Sequence, residues 1–238
     1  ALLRGLSFLD IISRRGAYLA LLQQYPQALK KVVTLLDSSR WAASYLEQHP
    51  ILLDELLDQR LLEVVPDWSA FRHQLQQTLL ALEPDTERQM DVLREQHHAQ
   101  VFRVLMQDMA GLLTVEKLSD HLSDLADSLL EAALVCAWKK LPKRHRDAPR
   151  FAVISYGKLG GKELGFASDL DLVFLYDDTD PDAGEIYSRL GTRLNTWLSA
   201  QTAAGQLFET DLRLRPNGEA GLVVSSIAAF RAYQLESA

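Results

Sequence analysis

The residues best suited to chemistry lie between Ser155 and Asp178, SYGKLGGKELGFASDLDLVFLYDD. Asp169 and Asp171 are separated by one leucine and open an apolar run. Side chains alternate along a strand, so both carboxylates leave the same face. Beyond Asp171 the run continues through Leu172, Val173, Phe174, Leu175 and Tyr176, apolar on both faces, which places the acids where a strand enters a core. Neighbouring carboxylates there repel each other and lose hydration, at a cost of roughly several kcal/mol unless a cation compensates them. A divalent cation meets that need, and Mg²⁺ favours carboxylate oxygens together with substrate phosphates.

A second charged stretch is FETDLRLRP. Read as a strand, it sets Glu209, Asp211, Arg213 and Arg215 on one face and Phe208, Thr210, Leu212 and Leu214 on the other. Taken alone, an edge strand with an acid/base ladder facing water accounts for it. Laid beside the aspartate pair, Asp211 completes a cluster of carboxylates, and the guanidinium groups meet polyphosphate oxygens in bidentate fashion. Gly157, Gly160 and Gly161 lie between a strand and a helix-like GKEL, where backbone amides approach phosphate with no Cβ in the way. The spacing is not that of a Walker A loop: Gly157 and Gly161 are one residue too close, and Glu163 stands where a hydroxyl residue is needed.

The elements that must hold these groups follow from the pattern. Residues 1–149 read as a helical domain, interrupted at Tyr25-Pro26, His49-Pro50 and Val65-Pro66 because proline lacks the amide a helix interior requires. Pro84-Asp85 opens one long helix. After Thr114, Leu118, Leu122, Leu125, Leu129, Ala132 and Cys136 recur at steps of three and four, forming a single apolar seam. KKLPKRHRDAPR is a boundary loop whose cations suit the end of a helix. Residues 150–238 change grammar: RFAVISYG, DLVFLY, QLFETDLRLRP and GLVVSS read as strands, with a helix from GEIYSRLG to Gly205. The fold class expected is α+β, a helical domain over 1–149 followed by a core with a small mixed sheet over 150–238 that reads as cut short on its C-terminal side.

A Gly-Gly turn, a short helix, S-D-x-D at the mouth of a strand and a third carboxylate on a later strand resemble the nucleotidyltransferase superfamily with a polymerase beta-like core. Within it, GKLGGKELGFASDLDLVFLY followed by FETDLRLRPNGEAGLVVS resembles the bacterial glutamine synthetase adenylyltransferase family, and more closely its C-terminal, adenylylating unit. The resemblance implies metal-binding carboxylates at Asp169, Asp171 and Asp211, with Asp211 helping to remove a proton. It implies nucleotide contacts at Gly160 and Gly161, with Ser155, Gly157, Lys162, Arg213 and Arg215 beside them. The implied reaction moves AMP from ATP to a tyrosine hydroxyl of glutamine synthetase with Mg²⁺, releasing pyrophosphate. Phosphorolysis of adenylyl-tyrosine by the deadenylylating unit is the alternative, and a non-catalytic nucleotide-sensing or partner-binding module is the reading from another class. The family further implies the signalling protein PII and glutamine as regulators and a cytoplasmic setting.

Composition narrows the field. With 238 residues, 47% of them hydrophobic, the chain can bury a substantial core. A net charge of −7 argues against non-specific capture of nucleic acid. No uncharged apolar run reaches membrane-spanning length. The one cysteine, Cys136, lies on an apolar seam and reads as a buried reduced thiol. Adjacent His97 and His98 diverge on a helix and are expected at a surface or core rim.

Overall fold

The computed structural model describes residues 2–57 and 64–236. The chain divides into two compact units, residues 1–66 with 98–114 and residues 67–97 with 115–238.

The first unit contains α1 (Leu2–Ser13), α2 (Gly16–Gln24), α3 (Pro26–Ser38), α4 (Arg40–Gln48) and a 3₁₀ helix, Pro50–Leu57. The prolines act where the sequence puts them: Pro26 and Pro50 each begin a new helix, at the position that needs no amide donor. Ser39 caps α4 by accepting the Ala42 amide at 3.1 Å. Further along, α5 (Trp68–Ala81) belongs to the second unit, and α6 (Thr86–Met109) gives its first half to the second unit and its second half to the first. His98 is buried rather than at a rim. Its Nδ1 lies 2.7 Å from the Tyr45 hydroxyl, and its ring centroid is 3.9 Å from that of His49. The reason is periodic: His98 shares a helix face with the buried residues Val101, Phe102 and Leu105.

In the second unit α7 (Val115–Lys139) carries the seam the sequence predicts, with Leu122, Leu125, Leu129 and Cys136 buried. Burial pushes the Cys136 thiol up to about 11, and the charge of Glu83 adds to it. The strands are β1 (Phe151–Ser155), β2 (Leu170–Tyr176), β3 (Thr210–Asp211) and β4 (Val224–Ser226), accompanied by α8 (Gly157–Gly160), α9 (Ala183–Ser199), a 3₁₀ turn at Gly218–Ala220 and α10 (Ile227–Glu236). β1 runs antiparallel to β2, whereas β3 and β4 both pair with β2 in parallel, so the sheet is mixed as expected. α9 buries Tyr187, Leu190, Leu194 and Trp197 at helical spacing. It ends at Ser199 and not at Gly205, which instead closes a small turn with Thr202. Because α7 packs against α9 and α5 against α7, those helices group with the sheet, and the compact units do not divide at residue 149.

Two buried ions hold this unit together. Arg94 of α6 is fully buried. Its guanidinium donates to the carbonyls of Trp197 at 3.1 Å, Ala200 at 2.6 Å, Gly205 at 2.8 Å and Met90 at 2.8 Å. Two of those carbonyls belong to the end of α9, where the helix dipole favours a cation. Burial lowers the Arg94 pKa, partly offset by Asp91.

The second ion is Asp178, just past β2, with a side chain only 2% exposed. It accepts from Tyr187 Oη at 2.8 Å, lies 2.8 Å from His145 Nε2 and 3.2 Å from Arg146 Nε, and accepts the Asp180 amide at 3.2 Å. The boundary loop is therefore anchored through two of its basic residues, while Arg144 bonds the Lys139 carbonyl at the end of α7 at 3.0 Å as the sequence leads one to expect. Burial alone would raise the Asp178 carboxyl, but the bonds from His145, Tyr187 and the Asp180 amide, with Arg146, hold it far below the usual carboxylate range. A depressed carboxyl stabilises the fold above the unfolded value, about 3.9, and that contribution fades as pH falls toward the folded value. The stability gap between the natural protein and Asp178→Asn, measured by denaturant titration, is accordingly expected to be widest near neutrality and to shrink steadily below about pH 4. A gap that stays constant from neutral to acid pH would contradict the role given to this ion.

Candidate functional site: a carboxylate cluster at the mouth of a strand

The site begins with β2. Leu172, Val173, Phe174 and Leu175 are all buried, whereas Asp171 is only half-buried. The strand thus becomes apolar on both faces immediately after the acid, as the sequence indicates. Asp169 lies just ahead of the strand. β3 pairs in parallel with Leu170↔Thr210 and Asp171↔Asp211 in register, and the Leu170 amide bonds the Glu209 carbonyl at 2.9 Å. Residues in register across a parallel pair project from the same face, so the structure brings Asp211 beside Asp171.

The charges feel one another. Burial raises the Asp171 carboxyl above the ordinary carboxylate range, the negative charges of Asp169 and Asp211 raise it further, and Arg213 and Lys158 only partly oppose them. Asp211 moves the other way because Arg213 folds back onto it. The Arg213 amide bonds Asp211 Oδ1 at 2.8 Å, and its Nε bonds Oδ2 at 2.8 Å, while Nη2 takes the same oxygen.

This back-folding corrects the reading of FETDLRLRP as one long strand. β3 is two residues long, and after Asp211 the chain turns. Arg213 and Arg215 therefore do not share a strand face with Glu209 and Asp211. Arg215 donates instead to the carbonyls of Leu212 at 2.7 Å, Glu219 at 3.1 Å and Gly221 at 3.3 Å, ordering the loop that leads to β4.

The glycine turn also differs from the expected turn-then-helix. The short helix α8 includes Gly157 and Gly160, and Lys162, at φ 57°, ends it. Gly157 has φ 53°, and a Cβ built on it would meet Asp171 Oδ2 at 2.0 Å. A Cβ on Gly160 would lie 2.5 Å from the Ser155 carbonyl oxygen. The glycines are needed so that the turn can close against β1 and against the Asp171 carboxylate. The amides of Gly160 and Gly161 bond the carbonyls of Tyr156 and Gly157 at 3.0 Å each. Lys162 reaches away to α7, with Nζ 2.7 Å from Asp127 Oδ2 and 3.8 Å from Asp124 Oδ1. Gly157→Ala is expected to cost about 1–2 kcal/mol through the left-handed backbone and to displace the Asp171 carboxylate. Natural stability in a denaturant titration would count against that packing.

Whether these residues suit a divalent cation is decided by their chemistry. The donors are oxygen only, and the negative charges of Asp169 and Asp211 beside Asp171 are the kind of crowding a hard cation relieves. As they stand, no three His, Cys, Asp or Glu side chains among the described residues are grouped to hold a metal, and Asp211 is turned to Arg213. Asp169 and Asp171 offer hard oxygen donors of the kind a magnesium-like ion takes, while Asp211 is paired with Arg213.

With the cluster and turn in view, comparison with known proteins is direct. The family pattern of glutamate-ammonia ligase adenylyltransferase matches residues 29–238. The chain belongs to that family. A bifunctional glutamine synthetase adenylyltransferase/adenylyl-removing enzyme of Aromatoleum aromaticum is 70% identical over 237 residues, covering 100% of this chain and 25% of the relative. Enzymes of the same description from Neisseria meningitidis serogroup B and Nitrosomonas europaea are 60% and 55% identical, covering 100% and 99% of this chain and 26% of each relative. The chain thus spans about a quarter of the length of the curated adenylyltransferases it matches. Among the described residues, no helix is long and apolar enough to cross a membrane.

The sequence reading missed three features of this chain: the grip of Arg213 on Asp211, the turning of Lys162 toward α7 and the anchoring of Asp178. The acidic run DDTDPD after β2 gives no sign of which of its carboxylates is buried. The first two depend on where the backbone turns, which residue type alone does not announce.

Proposed function

We propose that this chain carries a nucleotidyl-transfer centre that moves AMP from ATP to a tyrosine hydroxyl of glutamine synthetase and releases pyrophosphate. The observation that supports it best is the register of Asp171 with Asp211 at the mouth of a buried strand, with Gly157 closed against the Asp171 carboxylate. Family membership and the description of the relatives as glutamine synthetase adenylyltransferases support the substrate.

In this reading residues 150–238 form the catalytic core, and Asp169, Asp171 and Asp211 hold magnesium. Bound there, Mg²⁺ supplies charge neutralisation for the polyphosphate and for the attacking oxygen. Gly157, Gly160 and Gly161, with Ser155, form the close-approach wall against the phosphates. Arg213 leaves Asp211 as the nucleotide enters and pairs with a phosphate oxygen, a shift suited to an exposed guanidinium already beside the cluster. Asp211, freed of its ion pair, becomes the acceptor nearest the tyrosine proton. Arg215 holds the following loop, and Lys162 holds the turn against α7. PII and glutamine act as regulators of the whole protein, in the cytoplasm.

The test uses the intact protein with glutamine synthetase. Label from α-labelled ATP is expected to enter unmodified glutamine synthetase, and Asp169→Asn is expected to block entry without loss of fold. If Asp169→Asn instead blocks only phosphate-dependent release of AMP from the modified protein, the centre is the removing one. If it blocks neither, the centre is not catalytic.

A further inference from the structure

The cations around the carboxylate cluster are not alike. Lys162 is taken up by Asp127 and Asp124 of α7, Arg213 by Asp211, and Arg215 by the carbonyls of its own loop. Lys158 is exposed, and among the described residues its ammonium joins no ion pair and no hydrogen bond. It is nevertheless held close to the acids. On one side of it Gly157 closes on Asp171 Oδ2, on the other Leu159 is buried, and its own carbonyl accepts the Glu163 amide at 2.7 Å. The lysine stem therefore starts from a fixed backbone, and its charge is one of the two that oppose the repulsion at Asp171.

The sheet gives Lys158 a side. β2 lies between β1 and β3, so Asp171 has Asp211 in register on one flank. On the other flank the Tyr156 amide bonds the Asp171 carbonyl at 2.9 Å, and the turn carrying Lys158 follows at once. Transfer of a nucleotidyl group is an in-line displacement, in which the entering and leaving oxygens stand on opposite sides of phosphorus. Under the proposed function, Asp211 takes the proton of the entering tyrosine hydroxyl on the β3 flank. The leaving pyrophosphate then belongs on the β1 flank, where Lys158 is the cation without a partner among the described residues.

We propose, resting on that reading of the function, that Lys158 binds the β- and γ-phosphates of ATP and stabilises pyrophosphate as it leaves. In the step, the tyrosine oxygen forms a bond to the α-phosphorus and its proton passes to Asp211. The bond from the α-phosphorus to the bridging oxygen breaks, and its electron pair departs with pyrophosphate. Negative charge builds on that group, so an ammonium beside it stabilises the transition state more than the ground state. A compact cation on a flexible stem can follow a group that moves away. Arg213, on the Asp211 flank, faces the α-phosphate, and the two cations divide the polyphosphate between them.

The experiment is titration calorimetry on the intact protein in Mg²⁺ with pyrophosphate, ATP and AMP, paired with steady-state AMP transfer to glutamine synthetase. Lys158→Gln is expected to weaken pyrophosphate and ATP about tenfold or more and to lower kcat for transfer about a hundredfold. AMP lacks the β- and γ-phosphates, and its affinity is expected to change by less than about twofold. Lys158→Arg keeps the charge and is expected to recover most of the pyrophosphate affinity. Melting curves equal to that of the natural protein establish that both variants are folded. The assignment is overturned by a Lys158→Gln variant that binds pyrophosphate as tightly as the natural protein, by one that loses AMP as much as pyrophosphate, or by an arginine variant as weak as the glutamine one. A natural protein that binds neither ATP nor pyrophosphate would instead overturn the proposed function itself, a result distinct from those three.

Discussion

Asp171→Asn is expected to lower AMP transfer by about a thousandfold or more while the melting midpoint stays equal to that of the natural protein or rises. The two halves of this expectation have one cause. Burial, followed by the charges of Asp169 and Asp211, raises the Asp171 carboxyl, so the fold resists its ionised form. Asparagine keeps the shape, removes that repulsion and withdraws one charged oxygen donor from the cluster. On the proposed function, transfer falls because the carboxylates would hold a cation carrying polyphosphate less firmly, and stability does not, because the charge was a burden to the folded chain. Asp211→Asn should differ instructively: transfer falls likewise, but Arg213 loses the partner that now takes its amide and guanidinium, and the turn after β3 loosens. Incorporation of labelled AMP and thermal melts, run on the same preparations, separate the cases. Transfer by Asp171→Asn within tenfold of the natural rate, or a clear fall in its melting midpoint, would refute the assignment.

Replacing Arg94 with methionine is expected to destabilise the second unit by about 3–5 kcal/mol, because four carbonyls, that of Trp197 buried, lose a shared charged donor. The carbonyls of Trp197, Ala200, Gly205 and Met90 converge on one guanidinium. Methionine fills a similar volume and donates nothing. Lysine keeps the charge but offers a single nitrogen, so Arg94→Lys should recover only part of the loss. A drop in melting midpoint on the order of 10 °C for methionine, with lysine between the two, is the expected pattern. If both variants melted within a degree of the natural protein, the bonds to Arg94 would be incidental.

Much of the frame was legible because it rests on local rules. The prolines at positions 26 and 50 begin new helices, the seam of α7 follows a 3.6-residue period, and the alternation in DLVFLY marks β2 with its acids at the entrance. His98 could have been read as buried from the same period, since Val101, Phe102 and Leu105 share its face. FETDLRLRP misled because alternation is necessary for a strand but not sufficient. The chain turns after Asp211, and Arg213 pairs with that carboxylate two residues before it. Arg94 lies in the middle of the long helix α6, and nothing near it in sequence announces the end of α9.

By itself the sequence determined the α+β class, the helix breaks, the acidic entrance to β2 and the likeness to the adenylyltransferase family. Tertiary structure alone decided that Asp211 stands in register with Asp171, that Arg213 holds it and that Lys162 faces α7. The physical reason is range. Periodicity and proline act through backbone geometry within a few residues, whereas a charge or an amide takes whichever partner the folded chain brings within about 3 Å, however far away it is in sequence.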